Sequence, residues 1–585
     1  MPTGRLMRAL TAAAAMAIVL SGCQGGGSAP VVVGESPRGG SVTVAEVNAF
    51  TSFNPYGTNG NTDINSKIAA ATHSGFFSLD KSALLVRNEK FGRYEKISDD
   101  PLKVRYTVND GVKWSDGDAV DAGDLLLAWA SGSGYFDDAD PAAATGTKYF
   151  AAADTSGLNG TALPELGSDG RSITLEYAQP YADWEVAFDV GMPAHVVAAK
   201  SGLSDEAALI KLIRDSPRGD ADKPSVNAAL KRVADFWNTG FDTTSIPDDP
   251  ALYLSNGPYI VRDIVPGASL RLVRNRDYDW GETPALDEIN VRFSTDLTAA
   301  VQALRNGQVN IISPQPTAGT EALFSSLSAQ GASVERYNQA GFDHLDLNFT
   351  GPFASKDVRE AFLKTVPRQA IVDAVVGDFI PDSAPLDSQV FLPDQPKYKD
   401  AIKANGSEAY TDVDLDGARS LLKGATPTVR ILYNRDNPNR AKAFALIQTS
   451  AAKAGFAVVD AGQSSTEWAK ALRADGHDAA LLGWIGTGAG VSRVPQIYRT
   501  GAGSNFNGFS DRDADAAMGE LVRTSDLGKQ DELLAAVDKR LWENAYGLPL
   551  YQTVGTTAVS ARVAGVTSSA GPLGIWWNVA QWRLA

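Results

Sequence analysis

Between Val429 and Trp484 the chain alternates strand and helix signals, and that alternation limits the fold more than any other feature. Val429 to Tyr433 is an apolar strand. From Ala441 to Ala454 the spacing puts Phe444, Ile447 and Ala451 on one helical face, with Gly455 as the stop. Phe456 to Val459 reads as a second strand. Thr466 to Leu472 reads as a short helix capped by Thr466 or Ser465, and Ala479 to Trp484 as a third strand. Strand, helix, strand, helix, strand predicts an α/β fold with mixed or doubly wound sheets. Such sheets bind ligands beyond the carboxyl ends of their strands. Trp484 and the glycine-rich run Ile485 to Gly490 stand at such an end.

Other strands lie upstream. Ser41 to Ala45 and Ser172 to Tyr177 are β-like, and Lys103 to Val108 alternates with period two, closed by the turn Asn109-Asp110-Gly111. A helix is expected to begin at Asp121 and run through Leu125, Leu126, Leu127 and Trp129. Tyr135 to Gly160 has little periodicity and reads as a loop-rich insertion. With 585 residues the chain has length for several structural units. Its 69 acidic against 53 basic residues, a net charge of −16, argue against nucleic acid as a partner.

The amino terminus carries a separate message. Arg5 and Arg8 precede an uncharged apolar run from Ala9 to Leu20, too short for a bilayer span of about 20 residues. The run ends in Leu20-Ser21-Gly22-Cys23, and Cys23 is the only cysteine. This resembles the lipobox of bacterial lipoproteins and implies cleavage before Cys23, lipidation of its thiol and anchoring on the extracytoplasmic face of the cell membrane. Residues 1–22 are then a signal peptide and 23–40, rich in Gly, Ser and Pro, a flexible tether.

Enzyme signatures fail one by one. The chain has no Gly-x-Ser-x-Gly elbow, Walker A loop or His-Glu-x-x-His. His73, His195, His344 and His477 are far apart in sequence. Asp412 to Gly417 begins like a calcium loop, but position twelve is Lys423 where a bidentate Glu is needed. Acids favoured at a helix start explain the run better. No metal, cofactor or catalytic residue is expected.

Several blocks then fall in a shared order. Asn109-Asp110-Gly111-Val112-Lys113-Trp114-Ser115-Asp116-Gly117, with Asp121 to Asp124 behind it, resembles the signature of the family 5 extracellular solute-binding proteins. Met192-Pro193-Ala194-His195, Asn256-Gly257-Pro258-Tyr259, Leu272 to Tyr278, Ala303 to Asn310, Leu345 to Asn348, Asp357 to Ala361 and Gly547 to Tyr551 follow as further resemblances. The resemblance implies a two-lobed, Venus-flytrap fold: lobe one at 41–295 with an extra subdomain at about 80–190, lobe two at 296–555, and a return to lobe one at 556–585. It implies a monomer that captures a solute, most often a peptide, and delivers it to the permease subunits of an ABC importer. A hinge is expected near 293–297 and 552–558. A relative turned to regulation or envelope assembly, and an importer component for a sugar or metabolite, are the alternatives.

Trp484 and Tyr551 are the foremost cleft candidates, with Asn505, Phe506, Asn348 and Tyr56 behind them. Peptide binders of this family place an aspartate a few residues after a Gly-Trp pair, where it meets the peptide's ammonium. Here Gly483-Trp484 is followed by Ile485-Gly486-Thr487-Gly488-Ala489-Gly490, without an acid. A buried ammonium without a counter-charge is costly. Either another acid substitutes, or the solute is a blocked peptide, a sugar or another metabolite.

Overall fold

The computed structural model describes residues 39–139, 145–317, 319–465, 467–474, 476–485 and 490–585. The expected signal peptide, Cys23, the expected tether as far as residue 38, Thr466 and Gly486 to Ala489 lie outside the described residues.

Strand Thr428–Tyr433 is flanked by Ala457–Asp460 and Ala479–Ile485, both parallel to it. The intervening helix spans Pro438–Ala452 and starts three residues earlier than its apolar face suggests, because Asn437 caps it and Pro438 fits its first turn. Phe444, Ile447 and Ala451 are buried as their spacing requires. Gly455 has φ +108°, which favours glycine. The second helix is short, Trp468–Leu472.

This α/β unit is one end of a ten-stranded sheet. Beyond Ala479–Ile485 come Ser333–Leu347, Gly547–Val559, Ile311–Ile312, Ser41–Glu46, Glu288–Phe293, Ser269–Arg274 and Tyr259–Val265. Ser333–Leu347 is antiparallel to both neighbours, so the sheet is mixed. A four-stranded antiparallel sheet joins Gly92–Asp99, Leu102–Val108, Ser172–Glu176 and Glu165–Leu166. In Leu102–Val108 the period-two reading holds: Leu102, Val104, Tyr106 and Val108 are buried and Arg105 is exposed.

Helix Ala122–Ser133 opens on a capping box, with Asp121 accepting from Gly123 N and Asp124 reaching back to Asp121 N. Its Leu125, Leu126, Leu127 and Trp129 are fully buried. Each such side chain contributes about 1.5–3 kcal/mol of burial. The acids of the calcium-like run cap a helix instead: Asp414 accepts from Gly417 N ahead of Leu415–Leu422.

The two lobes each have a core. One is built from Val42 through Val291 and recruits Val559, Val563, Trp576 and Trp582 from the chain's end. The other runs from Ala300 to Ala558 and borrows Ala45. The expected hinge segments lie at the end of strand Glu288–Phe293 and inside strand Gly547–Val559. The latter pairs with Ser333–Leu347 in one lobe and with Ile311–Ile312, the neighbour of Ser41–Glu46. The sheet therefore passes unbroken from one core to the other.

Candidate functional site

A cavity of 860 Å³ lies between the lobes. Lobe one supplies Ala152 to Gly157 and Tyr177 to Tyr181; lobe two supplies Arg473, Ser492, Pro495, Gln496 and Arg499 to Ser504. This is within the range of small-molecule sites, about 300–1,000 Å³. Among the described residues four cations line it, Lys148, Arg473, Arg499 and Arg523, against one carboxylate, Asp154. In a chain of net charge −16 that is a local inversion of sign.

Ala152, Ala153 and Asp154 also border a second chamber, 340 Å³, lined by lobe one alone. Tyr56 stands at its wall, 39% exposed, with its hydroxyl donating to Val190 O at 3.3 Å. Asp189 lines the same chamber. Its Oδ1 accepts from Phe76 N at 2.9 Å and Val190 N at 2.8 Å. No cation pairs with it among the described residues, and burial pushes its carboxyl up to about 7.

The lobes touch at the cavity's rim. The Asp183 carboxylate accepts from Val491 N at 2.9 Å, from Ser492 N at 2.8 Å and from Ser492 Oγ at 2.5 Å. Tyr181 Oη lies 2.8 Å from Ser492 Oγ, and Ala182 N donates to Val522 O at 2.7 Å. Three consecutive residues of lobe one thus grip two segments of lobe two.

Trp484 is the last residue but one of strand Ala479–Ile485. His344 stacks with it, ring centres 6.0 Å apart, and so does Phe506, at 6.1 Å. Arg473 covers Phe506 at 5.5 Å and reaches the interlobe cavity. Trp484 and Phe506 are therefore brought together behind Arg473, and the indole Nε1 has no hydrogen-bond partner among the described residues.

The other expected residues are placed differently. Asn505 ties its own loop, donating to Arg499 O at 3.0 Å and Phe509 O at 2.8 Å. Asn348 caps locally, accepting from Thr350 Oγ1 at 2.9 Å and donating to His477 O at 3.4 Å. Tyr551 is 4% exposed and donates to Asp343 Oδ2 at 3.0 Å. Asp343 in turn holds Arg440 through Nε at 3.2 Å and Nη2 at 3.1 Å. Tyr551 does not border the interlobe cavity.

Sequence reasoning missed Asp183 and Asp189. The one signal for Asp189 is its position as a lone acid in the apolar run Ala187 to Met192. Folding also joins what sequence separates: His195 Nε2 lies 3.0 Å from Asp116 and Nδ1 3.6 Å from Asp118. These three are the group with metal-ligand spacing among the described residues. They lie apart from both chambers.

Comparison with known proteins agrees with this geometry. The profile of the bacterial extracellular solute-binding proteins, family 5, matches residues 92–506. An uncharacterized lipoprotein of Mycobacterium tuberculosis is 26% identical over 92% of this chain and 92% of its own. The oligopeptide-binding protein OppA of the same organism is 24% identical, over 94% of this chain and 89% of its own. Among solved structures, the periplasmic EDTA-binding protein EppA superposes with a TM-score of 0.79 at 20% identity, covering 94% of this chain and 98% of its own. The match spans more than half of the chain, so this protein belongs to the family 5 bacterial extracellular solute-binding proteins.

Proposed function

We propose that the protein captures a peptide in the interlobe cavity, closes over it, and hands it to the permease of an ABC importer. The observation that carries this is the 860 Å³ cavity walled by both lobes, with lobe-to-lobe hydrogen bonds at its rim. A solute touching both walls favours the closed form by its differential contacts, which is all a population shift needs. The resemblance to an oligopeptide-binding protein supports peptide as the solute class. Cys23 anchors the chain by its lipid on the extracytoplasmic face, and the body acts as a monomer.

The acid that does not follow Trp484 is supplied from the other lobe. Asp189 holds the peptide's ammonium in the lobe-one chamber, where its carboxyl is partly buried and no cation pairs with it among the described residues. The cations of the larger cavity suit acidic side chains and the peptide's carboxylate. The deciding experiment is mass spectrometry of the solute that co-purifies, followed by calorimetry with matched free and N-acetylated peptides. Tenfold preference for the free amine, about 1.4 kcal/mol, is expected. Equal affinity for both forms would remove Asp189 from the site, and a non-peptide solute would overturn the reading.

A further inference from the structure

Helix Arg493–Tyr498 is a partition. Ser492, Pro495, Gln496 and Arg499 face the interlobe cavity. Arg493, Val494, Ile497 and Tyr498, on the opposite side at helical spacing, face a separate cavity of 400 Å³ within lobe two. The walls of this rear cavity include Phe342, Val390, Phe391 and Leu534, with Lys397 and Asp531 also on the lining, 3.9 Å from each other and so balanced in charge.

Two polar groups in it lack what they need. Arg493 is partly buried, and among the described residues no hydrogen bond or ion pair reaches its guanidinium. Burial holds its proton affinity below the ordinary arginine range. Gln389 is 1% exposed; its Nε2 donates to Gly547 O at 2.9 Å, but its Oε1 has no partner among the described residues. The two are neighbours through Tyr498, whose hydroxyl donates to Gln389 O at 3.0 Å and lies within electrostatic reach of Arg493. A desolvated cation and a desolvated acceptor each cost free energy unless a ligand completes them.

We infer that the rear cavity of lobe two is a binding site for an apolar residue bearing a carboxylate and an adjacent N–H. One guanidinium neutralises one negative charge and matches a carboxylate in fork geometry. Gln389 Oε1 takes the N–H, and the apolar walls take the side chain. The same chemistry is offered by a free or N-acylated apolar amino acid and by the last residue of a peptide. The site stands behind the wall of the interlobe cavity and does not depend on which solute fills that cavity.

The test is calorimetry on the full chain with N-acetyl-leucine, N-acetyl-leucine amide and decanoate. N-acetyl-leucine is expected to bind at least tenfold more tightly than the amide, which lacks the charge, and than decanoate, which lacks the N–H. Arg493→Gln, with its melting curve confirming the fold, is expected to erase the preference over the amide, and Arg493→Lys to restore part of it. Repeating the titration with the interlobe cavity saturated by its own solute separates the sources. Unchanged N-acetyl-leucine binding identifies a free ligand; competition, with tenfold weakening of the solute by carboxyl amidation, identifies the solute's own end. No binding of N-acetyl-leucine up to about 10 mM, or a preference that survives Arg493→Gln, would overturn the site. Solute capture between the lobes would stand in either case.

Discussion

Arg440 and Arg493 are both drawn out of water in lobe two, yet their surroundings differ in kind. Arg440 meets both oxygens of the Asp343 carboxylate through two nitrogens, and Tyr551 also donates to Oδ2, the oxygen that Arg440 Nε holds. Arg493 has a cavity in front of it and, among the described residues, no carboxylate paired with it; the acid on that cavity's wall, Asp531, lies 3.9 Å from Lys397. The first arrangement is closed and holds strand Ser333–Leu347 against helix Pro438–Ala452. The second is open, and a partly buried charge without a counter-ion carries a cost that a visiting anion would offset. Asp189 repeats the second pattern with opposite sign, in lobe one.

The largest effect should separate the two arginines by stability. Arg440→Gln strands the Asp343 carboxylate in a dry core, and removing one partner of a buried pair costs about 3–5 kcal/mol. Arg493→Gln strands nothing and removes a desolvated cation, so its melting temperature should equal or exceed that of the parent. Thermal melts of the two variants check this directly. If Arg493→Gln destabilises as much as Arg440→Gln, the contrast between closed and open charge fails.

Asp189→Asn tests the lobe-one counterpart and should act oppositely on binding and on stability. Affinity for a free-amine peptide should fall at least tenfold, about 1.4 kcal/mol, with N-acetylated peptides unaffected. Stability follows from the raised carboxyl. Its folded value, about 7, lies above the ordinary 3.8, so its contribution is complete below 3.8 and is lost as pH rises through 7. The Asn variant should therefore match the parent near pH 4 and exceed it at pH 8, by about 4 kcal/mol. A gap that is constant from pH 4 to pH 8 would show that the carboxyl does not titrate as its burial demands.

The rim contact sharpens the comparison between lobes. Asp183→Ala leaves two backbone N–H groups and the Ser492 hydroxyl without their shared acceptor. The loss should be about 1–3 kcal/mol of closed-state preference. Solution scattering without solute should report a larger radius for Asp183→Ala than for the parent. Saturating solute should bring the two together. Identical radii without solute would mean that the rim does not set the lobe equilibrium.

How much of this was legible in sequence depends on whether the signal is local. The period-two burial of Leu102–Val108, the capping box at Asp121 and the helix cap at Asp414 involve residues within a few positions of each other, and each could be read from the chain. So could the alternation of strand and helix inside the α/β unit, though not the spatial order that puts Thr428–Tyr433 in the middle. The early start of helix Pro438–Ala452 was missed because the apolar face marks where a helix packs, while Asn437 and Pro438 mark where it begins. The site was harder. Asp183 meets Ser492 across 309 positions, and Arg493 is notable for a partner it lacks, which no spacing can express. Family blocks led toward Tyr551, which the structure places on Asp343 and away from the interlobe cavity, because scaffold and ligand contacts leave the same kind of trace in sequence.

That ambiguity gives the smallest and most discriminating test. Tyr551→Phe removes one hydroxyl from a network whose main bond survives, since Arg440 still holds Asp343 through two nitrogens. The loss should be that of a single hydrogen bond to a charged group, about 1–2 kcal/mol. The ring stays buried in the lobe-two core, so no cavity opens. Solute affinity should remain within about twofold, because Tyr551 does not border the interlobe cavity and its hydroxyl points at Asp343. Melting and calorimetry on the same preparation separate the two roles. A tenfold loss of affinity, about 1.4 kcal/mol, with little change in melting would return Tyr551 to the solute's contact surface. It would also show that the Asp343–Arg440 pair belongs to the binding face rather than to the scaffold.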